Sequence, residues 1–250
     1  MHLKSIQKLI ENFWYVPGDV LLRSIEAIVW KEYKFKHPIL DIGVGEGVND
    51  EVLFGHLESI DSAIDNDPKC INVATKNKFY KKVSVASADN LPFKDDSFVT
   101  IIANSTFEHI KNDLKAISEV SRVLKKGGVF AFTVPTNKLK LSSKINKRVS
   151  HFHYRSLDEW SQILKENGLK VIDQKYYLPP KLVSIWKIFF YVSTFKLYKR
   201  ELWSYLSDKR FSRFIPKKIL KFVLFKLIPA LVKSGVSQNG TWVFILAKKV

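Results

Sequence analysis

The stretch Pro38-Ile39-Leu40-Asp41-Ile42-Gly43-Val44-Gly45-Glu46-Gly47 limits what this chain can fold into more than any other. A nearly unbroken apolar run ending in alternate glycines reads as a strand buried on both faces that leaves its sheet through a tight turn. Such strands belong to parallel sheets, whose crossover connections place helices on both faces. Glycines there admit positive φ and let the backbone come close to a ligand. Their spacing is G-x-G-x-G, not the G-x-G-x-x-G of dinucleotide sites. On its own such a loop is a weak signal, since a plain strand-to-helix turn with no ligand also gives it.

The rest of the pattern extends that strand into an alternating series. Residues 3–34 read as two helices parted by Val16-Pro17-Gly18, and the N-terminal stretch is amphipathic and charged, unlike a signal peptide. After the glycines come a short helix over Asn49 to Leu57 and a second strand over 59–65. Asp67-Pro68 then supplies a cap and a first-turn proline for a helix to about Lys78. Further strands are expected at 83–89, 97–105 and 129–135. Between the last two, residues 112–124 carry apolar side chains at helical spacing, and Gly127-Gly128 reads as that helix's end. Residues 137–150, rich in Lys and Ser, read as a mobile basic loop; 157–168 as an amphipathic helix; 169–178 as a sixth strand. Asn239-Gly240 marks a turn before a last strand at 241–248. The series predicts an α/β fold: a doubly wound, mostly parallel sheet with helices on both faces.

Three segments follow. Residues 1–35 form N-terminal helices, 36–180 with 237–250 form the sheet domain, and 181–236 form a helical insertion, since a segment that long is not a plain loop. The insertion is rich in aromatic residues with lysines between them, as in KKILKFVLFKLIPALVK at 217–233. It suits a lid, or a helix lying in an anionic membrane interface. The charge is divided in the same way. Residues 1–136 hold 17 Lys and Arg against 18 Asp and Glu, whereas 137–250 hold 24 against 6. A phosphate-bearing substrate, an anionic membrane or a nucleic acid would each match the basic half. A single cysteine, Cys70, excludes an internal disulfide framework and a cysteine-rich zinc site, and suits a cytoplasmic protein, with a peripheral place at the membrane as a further station.

Four features carry chemistry. Asp41 with Gly43, Gly45 and Gly47 leaves the first strand. Asp65, followed by Asn66, ends the second, where a carboxylate can accept both ribose hydroxyls of a nucleotide; Asp61 sits too early in the strand for that task. Asp89 and Asn90 follow the third strand in ADNLPF, where Asp89 suits an adenine amino group. Asn104 and Ser105 leave the fourth strand, with Glu108 and His109 just beyond. Together these motifs resemble the class I, Rossmann-like S-adenosylmethionine-dependent methyltransferases, in particular the small-molecule type whose third-strand loop reads Asp-x-x-x-Leu-Pro-Phe or close to it. Here that loop is one residue shorter. The resemblance covers residues 36–178 and the last strand. It implies a seven-stranded sheet with the last strand antiparallel and S-adenosylmethionine as cofactor. Asp41 and the three glycines would line its methionine part, Asp65 the ribose and Asp89 the adenine, with the Asn104 backbone near the amino group.

The acceptor is less legible. A hydroxyl nucleophile needs a base, and His109, His151 and His153 are the candidates; HFHYRSLDEW at 151–160 follows the fifth strand and should border the acceptor pocket. No His, Asp or Glu set has zinc-ligand spacing, so no metal is expected. The expected acceptor is a small molecule, glycan or lipid-linked molecule, methylated at a hydroxyl. The rival readings are an RNA-binding methyltransferase gripping phosphates with its basic half and a non-catalytic cofactor-binding assembly protein.

Overall fold

The computed structural model describes residues 2–250; Met1, the start of the expected N-terminal segment, lies outside the described residues. In chain order the elements are α1 (His2–Phe13), α2 (Pro17–Trp30), β1 (Ile39–Ile42), α3 (Asp50–Phe54), β2 (Ser62–Asp65), α4 (Pro68–Ala74), β3 (Val83–Val85), β4 (Phe98–Asn104), α5 (Asp113–Val123) and β5 (Leu124–Pro135). There follow α6 (Ser143–Val149), α7 (Leu157–Glu166), β6 (Leu169–Tyr177), α8 (Pro180–Ser193), α9 (Leu202–Ser207), α10 (Lys209–Ser212), α11 (Lys217–Val232) and β7 (Trp242–Lys249). The chain divides into two compact units. One holds Tyr33–Tyr176 and Thr241–Val250, the other the segment up to Glu32 with Tyr177–Gly240.

In the first unit, seven strands form one sheet in the order β3-β2-β1-β4-β5-β7-β6. β1 pairs in parallel with β2 and β4, so that Asp41 lies opposite Ala63 on one side and Ile102 on the other. β7 runs antiparallel to β5, with Ala131 opposite Leu246. This is the doubly wound topology that the resemblance implies, with β1 and β4 side by side at the switch in strand order. All four residues of β1 are buried, as their apolar run requires. The core is continuous across the strands and includes Phe107, Phe130, Phe132 and Trp160, all fully or almost fully buried. The Phe107 ring centroid lies 5.4 Å from that of Phe130 and 5.6 Å from that of Phe132. Burying one such ring contributes roughly 1.5–3 kcal/mol, and this one fixes the segment that carries Glu108 and His109.

Several local expectations shift. The helix after β4 stops at Val123, and Leu124 is already extended and paired with Phe98. Gly127 and Gly128 therefore lie inside β5 rather than ending a helix. A Cβ at Gly128 would come within 2.8 Å of the Lys125 and Val99 carbonyl oxygens, so close backbone packing explains that glycine. Part of the expected basic loop is helical. Ser142 caps α6, and Ile145, only 1% exposed, anchors it. α4 ends at Ala74, earlier than expected, but is capped as read, with Asp67 accepting the Lys69 amide.

The second unit is built from α1, α2 and α8–α11, with a two-stranded ribbon at Lys196–Leu197 and Arg200–Glu201. Its interior contains a fully buried acid, Glu26, held by Arg23 at 2.6 Å and by the Tyr177 hydroxyl at 3.0 Å. Gly235 lies against Ile25, where a Cβ would come within 2.6 Å of that side chain. Among the described residues no helix is long and apolar enough to cross a membrane.

Asp61 fastens the edge of the sheet opposite the ligand side. It accepts the Ile39 amide at 2.8 Å and the Lys81 ammonium at 2.7 Å, and pairs with His37. Burial pushes its pKa up, but the bonds from Lys81, His37 and Ile39 outweigh that and hold it at about 2. The folded value lies below the unfolded one, about 3.9. Its contribution is therefore present above about pH 4 and fades as pH falls toward 2. Asp61→Asn should lower the melting temperature at pH 7, and the gap to the parent should narrow steadily in melts between pH 5 and pH 3.

Candidate cofactor and acceptor site

The carboxyl ends of β1, β2, β3 and β4 surround a cavity of about 760 Å³. Gly43, Asp65, Asn66, Asp89, Ser105 and His109 line it, joined by residues the sequence did not single out, notably Thr106, Lys111 and Phe152. Asp41, Gly45, Gly47, Asn90, Asn104, His151 and His153 are not among its lining residues.

The loop after β1 is built on backbone that only glycine adopts easily. Gly43 has φ +82°, and a Cβ there would lie 2.3 Å from the Thr106 side chain. Gly45 has φ +54°, and a Cβ there would meet nothing within 4 Å, so this turn faces open space. The Gly45 amide donates to Asp65 Oδ2 at 2.8 Å, and the Asp67 amide donates to Asp65 Oδ1 at 2.9 Å. Each Asp65 oxygen keeps a second lone pair, which suits two ribose hydroxyls. Asp41 lies behind the loop, 2% exposed, and its Oδ2 has no hydrogen-bond partner. Burial first, then Asp50 and Asp65, push its pKa well up. Tyr80 donates its hydroxyl to Asp50 in the same acidic cluster.

The Asp89 turn is fixed from α5. Glu119 Oε2 accepts the Leu91 amide at 2.8 Å, and Arg122 reaches the Leu91 and Phe93 carbonyl oxygens at 3.0 and 2.8 Å. Asp89 itself accepts the Ser87 hydroxyl at 2.5 Å. Asn104 turns away from the cavity: its Oδ1 accepts the Thr133 hydroxyl at 2.9 Å. Ser105, at φ +49°, carries the chain into the cavity wall, and its amide donates to the Thr133 carbonyl at 3.1 Å.

The three histidines separate into two groups. His109 and His151 stack edge to face with centroids 4.8 Å apart. Burial first, then the His109 charge, push the His151 pKa down to about 4, and its Nδ1 lies 2.9 Å from the Tyr154 hydroxyl. His153 instead faces the Lys111 carbonyl at 3.2 Å and Asp113 at 3.5 Å, beside the Arg155–Asp113 ion pair.

Residues 40–132 match the family model described as a methyltransferase domain. An uncharacterised protein of Methanocaldococcus jannaschii is 31% identical over 166 residues, which span 64% of this chain and 77% of that protein. The YcgJ methyltransferase of Bacillus subtilis is 31% identical over 162 residues, 59% of this chain and 63% of that one. This chain belongs to the class I S-adenosylmethionine-dependent methyltransferases. A solved methyltransferase of Thermotoga maritima shares the fold over 100% of both chains, with a TM-score of 0.62 at 17% identity.

The residues of this methyltransferase fit its cofactor. At the cavity wall the two-handed Asp65, with Asn66, Asp89 and the Gly43 backbone, supplies acceptors and space for a ribose-bearing molecule. Asp50 and Tyr80 are the parts of the acidic cluster that sequence reasoning missed; Tyr80 precedes β3 and carries no local signal, since its partner is 30 residues away. Asp65→Ala should weaken S-adenosylmethionine binding at least about tenfold, roughly the 1.4 kcal/mol of one good hydrogen bond. Calorimetric titration of the variant against the parent checks this.

Proposed function

We propose that this methyltransferase moves the methyl group to a hydroxyl of a glycan or lipid-linked small molecule, and that it meets its acceptor at an anionic membrane surface. The observation that carries the reading is the surface of the helical unit. On α11, Ile219, Phe222 and Val223 are 64%, 62% and 51% exposed, and Lys217, Lys218 and Lys226 lie among them, with Lys221 paired to Glu11. Ile188 and Val192 of α8, with Phe195 beyond it, are further exposed apolar side chains of this unit. Large apolar side chains interleaved with ammonium groups suit the boundary between lipid headgroups and acyl chains. Each lysine near such a surface adds about 1 kcal/mol of attraction.

S-adenosylmethionine brings the methyl group on a sulfonium and supplies the chemical drive. This chain's residues bind and orient it: Asp65 holds the ribose, Asp89 the adenine edge, and the Gly43–Gly47 loop the methionine part. Ser105 and Thr106 shape the wall where the methyl would face an acceptor. The hydroxyl reading rests on the imidazole pair, because His109 lines the same cavity and His151 stands directly behind it. Phe152 lines the same end.

The test uses methyl-labelled S-adenosylmethionine with a total lipid and glycolipid extract. Label is expected in the organic phase as an alkali-resistant methyl ether. Label that is released by mild alkali, or that stays with an RNA fraction, would contradict the reading. His151→Ala should cut that labelling about 100-fold while S-adenosylmethionine affinity stays within about twofold. Replacing Lys218, Lys221 and Phe222 together with Ser should abolish sedimentation with vesicles rich in phosphatidylglycerol.

A further inference from the structure

Glu108, His109 and His151 form a compact set of ligand-capable side chains at one end of the cofactor cavity. One atom from each, a carboxylate oxygen and two imidazole nitrogens, lies within 4.8 Å of the others. His109 and Phe152 line the cavity itself, so the set borders the space where the acceptor would stand.

The hydrogen bonds fix which nitrogen of each ring carries a lone pair. His109 Nδ1 lies 3.3 Å from the Ser150 carbonyl oxygen. A carbonyl only accepts, so Nδ1 carries the proton and Nε2 the lone pair. The Tyr154 hydroxyl donates to Asn146 Oδ1, so it receives a proton from His151 Nδ1, 2.9 Å away. His151 therefore also keeps its lone pair on Nε2. This is the arrangement metal-binding histidines use, with one nitrogen tied to a protein partner that sets tautomer and ring orientation. Glu108 is 2% exposed, and a carboxylate taken so far from water is best offset by a cation in reach.

We propose that Glu108, His109 and His151 bind one divalent first-row transition-metal ion, of the Zn²⁺ class, at the acceptor end of the cavity. Two imidazoles and one carboxylate suit such ions, whereas Mg²⁺ and Ca²⁺ favour all-oxygen sets. Three protein ligands leave a position open for an acceptor oxygen, which the ion would make more acidic. Ligand atoms at about 2.0–2.2 Å from an ion stand roughly 3.4 Å apart, so the set closes by up to about 1.4 Å on loading. The three residues come from the segment after β4 and the segment after α6, so their spacing in sequence shows none of this. The ion's role in activating a hydroxyl rests on the acceptor reading above; the existence of the site does not.

The experiment strips the purified full-length chain with a chelator and titrates it with Co²⁺ and with Zn²⁺ alone, by calorimetry and visible absorption. One ion per chain is expected, with micromolar or tighter affinity and the ligand-field bands of nitrogen-bound Co²⁺. Tyr154→Phe, which removes only the group that orients His151, should weaken binding about tenfold; His109→Ala and His151→Ala should weaken it more. S-adenosylmethionine titrations of the same samples show that the variants are folded. Absence of saturable binding at one equivalent, or unchanged affinity in the His109→Ala/His151→Ala double variant, overturns the site. Full labelling of a hydroxyl acceptor by the metal-stripped chain overturns the ion's role while leaving the acceptor reading intact.

Discussion

One carboxylate joins the parts of the sheet unit on which the cofactor site depends. Asp65 ends β2 and receives the Gly45 amide on one oxygen and the Asp67 amide on the other. The first bond ties the glycine loop after β1 to the neighbouring strand. The second ties down the residue that caps α4. Hydrogen bonds to a charged acceptor are each worth about 1.5–3 kcal/mol, enough to hold a loop whose residues adopt left-handed backbone. The Gly43 and Val44 amides add bonds to the Ile64 carbonyl, so the loop is anchored along its length to β2. The same acid that shapes the loop then presents its remaining lone pairs to the cavity.

The charge around that loop also decides between ligand classes. Asp41, Asp50 and Asp65 stand close enough that burial and mutual repulsion push Asp41 up. A dinucleotide would bring an anionic pyrophosphate toward this cluster, whereas S-adenosylmethionine brings a sulfonium and an ammonium group. The G-x-G-x-G loop thus works with its acids rather than as a phosphate cradle. The net positive charge of the chain is elsewhere, in the half after residue 136. The acidic cluster and the basic excess thus occupy different parts of one polypeptide.

Much of this was legible because its causes are local. The apolar run of β1, the glycines after it and the acids at strand ends follow from periodicity and turn chemistry, and the family resemblance supplied their order. The shifts came where packing overrode local pattern. Gly127-Gly128 reads as a helix end by composition, but Leu124 pairs with Phe98 before the chain reaches it. Residues 143–149 look like loop because their lysines dominate, yet the buried Ile145 is enough to seat a helix. Thr106, Lys111 and Phe152 became visible as cavity wall only in three dimensions, as did the meeting of His109 with His151 across 42 positions of chain. His153, equal to His151 as a candidate in sequence, is turned to Asp113 by a geometry no spacing rule contains.

Amide hydrogen exchange with and without S-adenosylmethionine tests the central claim most directly. The account predicts added protection on cofactor binding at four places together: the loop 43–47, residues 65–67, the turn 87–91 and the segment 105–109. Protection of those segments by NAD instead, or no change in any of them at saturating S-adenosylmethionine, would contradict it.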